Sequence, residues 1–291
     1  MKPITPLSAL AIFVFMVGCS SIPPLPTDRD TTDLAEVVED TRELAKTVGI
    51  GNVLVVLDID NTLLAMEQDL GSDQWYQWQK ALADDEPCGP MTVPDRFAVQ
   101  GAIYHASAMR PTQPDAAEQV RVLQDSGLRV IALTSRGTDY RLQTFRELRR
   151  NGYDFRRSAL APRAGWPENF IPSRGNRPAR YEDGVFLTSG QHKGDMLLDL
   201  LERSETALPT VVVTVDDKRG NLDALVEALA PLGVVVRSWH YLGEADRVAA
   251  FDPAASDSLW RSLEPALLTL QDRLGTDHYA LPNGPAEPCT P

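Results

Sequence analysis

Two aspartates one residue apart, Asp58 and Asp60, close the apolar run VLVVL at 53–57. A carboxylate at the mouth of a buried strand can attack phosphorus as a nucleophile, and a second one two positions on can move a proton. Three further segments carry the residue types that complete such chemistry. Thr134 ends the stretch LRVIALT, and its hydroxyl suits a phosphoryl oxygen. Lys193 opens KGDMLLDLLER, where an ammonium would hold the nucleophile and the phosphoryl oxygens together. Asp216 and Asp217 follow TVVVTV. Carboxylates gathered in one crevice repel each other unless a cation neutralises them, and oxygen-only ligands favour a hard ion such as Mg²⁺. Arg136, two residues past Thr134, either shapes the turn or reaches a phosphate.

These residues need a frame that brings distant segments to one edge. Apolar runs at 53–57, 128–133, 185–188, 210–215 and 233–239 read as strands, the first without alternation, as in a strand covered on both faces. Helical spacing marks 33–48, 114–126, 138–151, 193–203, 222–229 and 256–274. Strand–helix alternation predicts an α/β fold, a Rossmann-like doubly wound parallel sheet. Sites in such sheets lie beyond the carboxyl ends of the strands, where the acids, Thr134 and the start of the Lys193 helix fall. Residues 66–109 interrupt the alternation and predict a mostly helical insertion. Trp75, Tyr76 and Trp78 there suit a small core of their own, with stacking on a substrate as the alternative.

LVVLDIDNTLL resembles the first signature of the haloacid dehalogenase-like superfamily, Asp-x-Asp-x-Thr behind an apolar strand. IALTSR, HKGDMLLDLL and VVVTVDDKRGN resemble the second, third and fourth signatures, in the family's order. The resemblance covers about residues 50–240. It implies Asp58 as nucleophile and metal ligand, and Asp60 as general acid and base that also lends its carbonyl to the metal. It implies that Thr62 shapes the turn, that Thr134 and Lys193 bind the transferred phosphoryl group, and that Asp217 is the principal metal ligand of the fourth signature. Asp216 would be a ligand or a supporting acid. Asn221 stands where some members carry a further acid. An acid at position 60 implies phosphatase or phosphotransferase chemistry. The expected reaction is Mg²⁺-dependent hydrolysis of a small phosphomonoester through an aspartyl-phosphate. A phosphotransferase of the same fold, or a binding lipoprotein that kept the fold without catalysis, are the alternatives.

The beginning of the chain reads as a targeting segment. Residues 7–17 form an apolar core too short for an ordinary membrane span, and Met16-Val17-Gly18-Cys19 follows. This resembles a bacterial lipoprotein signal with methionine in the usual leucine position. It implies a lipid on Cys19 and anchoring at the bacterial cell envelope, facing the periplasm. The expected division is a leader at 1–18, a linker at 19–32, a core at 33–65 and 110–251, a cap insertion at 66–109, and a C-terminal helix and tail at 252–291. Cys88 and Cys289, both in Pro-flanked stretches, would pair in an oxidising compartment, with two free thiols as the alternative. A formal net charge of -13 with no basic stripe argues against a nucleic-acid partner. His105, His192, His240 and His278 have no zinc-ligand spacing, and no Walker loop occurs.

Overall fold

A computed structural model describes residues 28–86, 88–93 and 96–274. The leader, Cys19 and Cys289 lie outside the described residues; Cys88 is disulfide-bonded. The described chain starts with β1 (Asp28–Thr31), α1 (Leu34–Val48) and β2 (Val53–Leu57). Next come β3 (Leu64–Met66), α2 (Asp73–Asp85), α3 (Arg96–Ala106) and β4 (Met109–Pro111). The alternation resumes with α4 (Ala116–Asp125), β5 (Arg129–Thr134), α5 (Arg141–Arg150), β6 (Arg180–Glu182), β7 (Val185–Leu187) and α6 (Lys193–Arg203). It ends with β8 (Val211–Asp216), α7 (Arg219–Leu229), β9 (Val235–Tyr241), α8 (Ala245–Ala249) and α9 (Pro253–Leu274).

Seven strands form one sheet in the order β1-β9-β8-β2-β5-β7-β6, parallel except where β6 meets β7. The fold is the expected doubly wound α/β sheet. Its physical reason is clearest in β2, which is buried at every position. Val53, Val55 and Leu57 enter one core with residues of α1 and α4, while Leu54 and Val56 enter the opposite core with residues of α6 and α7. Burying each such side chain contributes about 1.5–3 kcal/mol. A register slip in β2 would therefore disturb both cores at once, so the residue that follows, Asp58, is firmly placed.

The chain runs from β2 outward through β5 and β7, then returns to β8 on the other side of β2. The carboxyl ends of β2 and β8 thus flank the point where the winding reverses, the usual location of a ligand crevice in open sheets.

Two expectations are corrected. The linker does not extend to 32, because Asp28–Thr31 pairs with Ser238–Tyr241 as an edge strand. Its residues DRDT carry no apolar signal, and backbone hydrogen bonds with ion pairs from Arg219 to Asp28 and Asp30 hold it instead. The C-terminal helix, set apart from the insertion in that division, packs against it. Trp260 of α9 joins Leu70, Trp75, Val93 and Val99 in a third core, flanked by Tyr76 and Trp78. The insertion's aromatics form a core, as expected, but α9 completes it. The insertion stands on an antiparallel stem of β3 and β4. Among the described residues no helix is long and apolar enough to cross a membrane.

Candidate active site

Asp58 leaves β2 with its amide still donating to Val215 O of β8 (2.9 Å). The chain then turns tightly: Ile59 O accepts from Leu63 N and Leu64 N (both 2.9 Å), and Asn61 takes a left-handed φ of 55°. Thr62, fully buried, accepts from Asp217 N through its hydroxyl (3.0 Å). That bond ties the first acidic loop to the last one, and it is the structural reason for a threonine two places after Asp60.

Lys193 is the first residue of α6. The helix is capped by His192, whose Nδ1 accepts from Asp195 N (3.3 Å), and Gly194 lets it lie close against α7, since a Cβ there would lie 2.1 Å from Ala224 O. The Lys193 ammonium donates to Asp58 Oδ1 and to Asp216 Oδ2, each at 2.6 Å. The other oxygen of Asp216 accepts from Lys218 N (2.9 Å) and Asn221 Nδ2 (2.8 Å). Asp58, Asp216 and Asp217 each bring a carboxylate oxygen to within 4.8 Å of the others. Three segments of chain therefore meet around one acidic hollow.

Electrostatics distinguishes the acids. Burial is the largest influence on Asp58; Lys193 opposes it, Asp216 and Asp60 add to it, and the carboxyl is pushed up to about 7. Burial, then the charges of Asp58 and Asp216, push Asp217 up to about 9. Burial disfavours the Lys193 ammonium, but Asp216 and Asp58 outweigh it and hold its pKa above the usual lysine range. Three acids face one directly bonded ammonium, and the Lys218 charge only partly offsets the push on Asp217, so the hollow is short of positive charge. Oδ2 of Asp58 accepts no hydrogen bond among the described residues, and Asp217 has only a long contact from Asn61 Nδ2 (3.5 Å). An oxygen-only donor set with free lone pairs and excess negative charge fits a hard divalent cation such as Mg²⁺. Asp58 and Asp217 are the freer ligands, and Asp216 is the more committed one.

Asp60 faces another way. Its oxygens accept from Arg136 Nε (2.9 Å) and Nη2 (2.8 Å), and the Tyr104 phenol donates to Oδ1 at 3.4 Å. Burial pushes this carboxyl up, but the charge and hydrogen bonds of Arg136 outweigh it and hold it below the usual range. Arg136 is 6 % exposed; its Nη1 donates to Thr144 Oγ1 (2.9 Å), and its guanidinium lies 5.0 Å over the Tyr104 ring. The phosphate-binding reading of Arg136 is thereby corrected: its donors are taken up beneath Asp60, so it positions that acid. Thr134 lies at the end of β5, fully buried, with its hydroxyl accepting from Arg136 N (3.2 Å).

Replacing Arg136 with lysine tests this role. The charge survives, but the planar fork that grips both oxygens is lost. Denaturant unfolding is expected to show a loss of about 1–3 kcal/mol. A loss below about 0.5 kcal/mol, within the range of ordinary surface changes, would show that the fork does not hold Asp60.

Three neighbours escape a reading of the sequence. Tyr104 comes from α3 of the insertion and has no motif around it. Asn61 is hidden inside the first signature. Lys218 pairs with Asp73 at the start of α2 (2.7 Å), linking the insertion to the loop after β8. The only hint was a lysine directly behind two acids.

A doubly wound α/β sheet with an acidic, lysine-bridged hollow at its winding reversal defines a broad class of protein. Within it, the chain belongs to the family described as Protein of unknown function (DUF2608), whose model matches residues 30–273. No curated protein matches the chain.

Proposed function

We propose that the protein is a Mg²⁺-dependent phosphomonoester hydrolase of the haloacid dehalogenase type, anchored by a lipid on Cys19 at the bacterial envelope. One observation carries the reading: the Lys193 ammonium bridges Asp58 and Asp216 at 2.6 Å while Asp217 closes the same hollow. An ion pair that serves stability alone has no use for a third acid whose charge raises the cost of the other two.

In this reading Asp58 Oδ2 attacks phosphorus, and the leaving alcohol takes a proton from Asp60. Water then opens the aspartyl-phosphate and returns a proton to Asp60. Lys193 holds Asp58 in place and stabilises charge on the phosphoryl oxygens, which Thr134 also binds. Asp60 must release the Arg136 fork to carry its proton, so Arg136 and Tyr104 set how readily it does so. Asp58 and Asp217, with Asp216 and the Asp60 carbonyl, would hold Mg²⁺. The ion supplies neutralisation of the nucleophile and of the phosphoryl group. The test is release of phosphate from an aryl phosphate by the full chain. Turnover is expected with Mg²⁺, lost on chelation and restored by excess metal. A folded chain that hydrolyses no phosphomonoester across a broad panel would overturn the reading.

Metal binding has its own signature in stability. Burial and the neighbouring acids push Asp58 up to about 7 and Asp217 up to about 9, from an ordinary value of 3.8. Between these limits the two acids hold more protons in the folded state than in the unfolded one, so their contribution to metal-free stability falls as pH rises from about 4 to 9. Mg²⁺ needs the ionised forms, so its stabilising effect grows over the same window. At a hundredfold excess over its dissociation constant, Tm is expected to rise by about 5–10 °C at pH 8, and far less at pH 5 at the same concentration. An equal rise at both values would show that Mg²⁺ does not bind these acids.

A further inference from the structure

Beyond the carboxyl end of β7 lies an open surface pocket of about 500 Å³, lined among others by Ser173, Arg174, Asn176, Arg177, Gln191 and His192. It is connected to the site just described through the chain. His192 directly precedes Lys193, and Ser189 N donates to Arg136 O (3.0 Å) in the turn that follows Thr134.

The loop over this pocket, 173–177, is exposed, yet buried polar groups hold it in one shape. Gln191, 8 % exposed, accepts from Asn176 N (2.8 Å) and Arg177 N (3.0 Å). Its amide donates to Arg177 O (3.0 Å) and Thr188 O (2.8 Å). Asp199, 5 % exposed, accepts from Ser173 Oγ (2.6 Å) and Arg174 N (2.8 Å). Only a glycine fits between, since a Cβ at Gly175 would lie 2.3 Å from Gln191 Oε1. A connecting loop does not need this much buried polar support, but a loop that presents a side chain in fixed position does.

The side chain presented is Arg177. Arg174 is committed to Asp199 and Glu202. Arg177 donates to Gly190 O through Nη2 (2.9 Å) and has no carboxylate partner among the described residues, in a chain whose net charge is -13. A Cβ at Gly190 would lie 3.7 Å from Arg177 Nη1 and 4.0 Å from Ser135 O, so Gly190 sits between the guanidinium and the turn where β5 ends. An exposed guanidinium with free donors, carried on a loop of fixed backbone beside a pocket, suits carboxylate or phosphate oxygens.

We propose that this pocket is a subsite in which Arg177 binds a second anionic group of the substrate, so that preferred phosphomonoesters carry a carboxylate or a second phosphate on their non-reacting end. The proposal rests on the hydrolase reading for the identity of the reacting group, but the binding it describes does not depend on turnover.

The test compares three substrates of equal carbon length on the full chain with Mg²⁺: propyl phosphate, 3-phosphooxypropanoate and propane-1,3-diyl bisphosphate. The wild type is expected to favour at least one anion-tailed substrate by about tenfold or more in kcat/KM, and which one tells carboxylate from phosphate. In Arg177→Gln that ratio is expected to fall toward one, chiefly through KM, and Arg177→Lys is expected to restore part of it. Calorimetric binding of 3-phosphonopropionate against propylphosphonate, with Mg²⁺ present, gives the same comparison without chemistry. No turnover of any ester, combined with tighter binding of the anion-tailed phosphonate that Arg177→Gln abolishes, would overturn the hydrolase reading and uphold the subsite. Turnover with no anion preference in the wild type, or a preference unchanged in Arg177→Gln, would overturn the subsite. So would an absence of turnover together with equal binding of both phosphonates.

Discussion

Mg²⁺-dependent turnover is expected to fall by on the order of 10⁴-fold or more in Asp58→Asn, while the metal-free melting temperature holds or rises. The amide has the shape of the carboxylate and its oxygen still accepts from Lys193, but it cannot attack phosphorus. The gain in stability follows from the hollow itself. Burial and the neighbouring acids push Asp58 up to about 7, so its ionised form is a cost to the fold at neutral pH that Lys193 does not fully offset. Lys193 keeps its contact with Asp216 when Asp58 is neutralised. Opposite movements of activity and stability mark a functional charge, since a structural one would lose both together. Steady-state rates with thermal unfolding of the same preparation check this. Turnover retained within tenfold would remove Asp58 as the nucleophile.

What the sequence made legible follows from how each feature is encoded. β2 was readable because both faces of VLVVL are buried, which demands an unbroken apolar run. Lys193 was readable because it opens a strongly amphipathic helix directly after a loop. β1 was not, because an edge strand held by its backbone and by Arg219 needs no apolar pattern. Arg136 was recognised as chemically interesting, but its direction was not. A guanidinium two residues past Thr134 reaches an acid or a phosphate equally well on sequence grounds, and only the packing of Tyr104 and Thr144 around it decides for Asp60. The union of α9 with the insertion was hidden for a related reason. Trp260 meets Trp75 across 185 positions of sequence, and helical periodicity says which face is apolar without saying what it covers.

The second large effect is expected in Lys193→Met. The side chain keeps most of the buried volume and loses the ammonium that both Asp58 and Asp216 face at 2.6 Å. Breaking a buried pair by removing one partner costs about 3–5 kcal/mol, because the remaining charges stay buried without compensation. Asp58 is pushed up to about 7 even beside the ammonium, so without it this acid takes a proton at neutral pH, and the lower part of that range applies there and grows as pH rises. The loss is expected to shrink on acidification, as Asp58 becomes fully protonated. Raising the pH to about 9 brings no such relief, since Lys193 itself is held above the usual lysine range and remains charged in the wild type. Mg²⁺ separates the two roles of the lysine. If Asp58, Asp216 and Asp217 form a cation site, the metal replaces part of the missing charge, and it should raise the Tm of Lys193→Met more than that of the wild type. Turnover should nevertheless stay lost, because a metal among the carboxylates does not reproduce an ammonium placed against the phosphoryl oxygens. Thermal unfolding at pH 5, 7 and 9, with and without Mg²⁺, measures every part of this. A variant destabilised equally at all three values and indifferent to Mg²⁺ would mean that Lys193 acts through packing, and that the acidic hollow it bridges is no metal site.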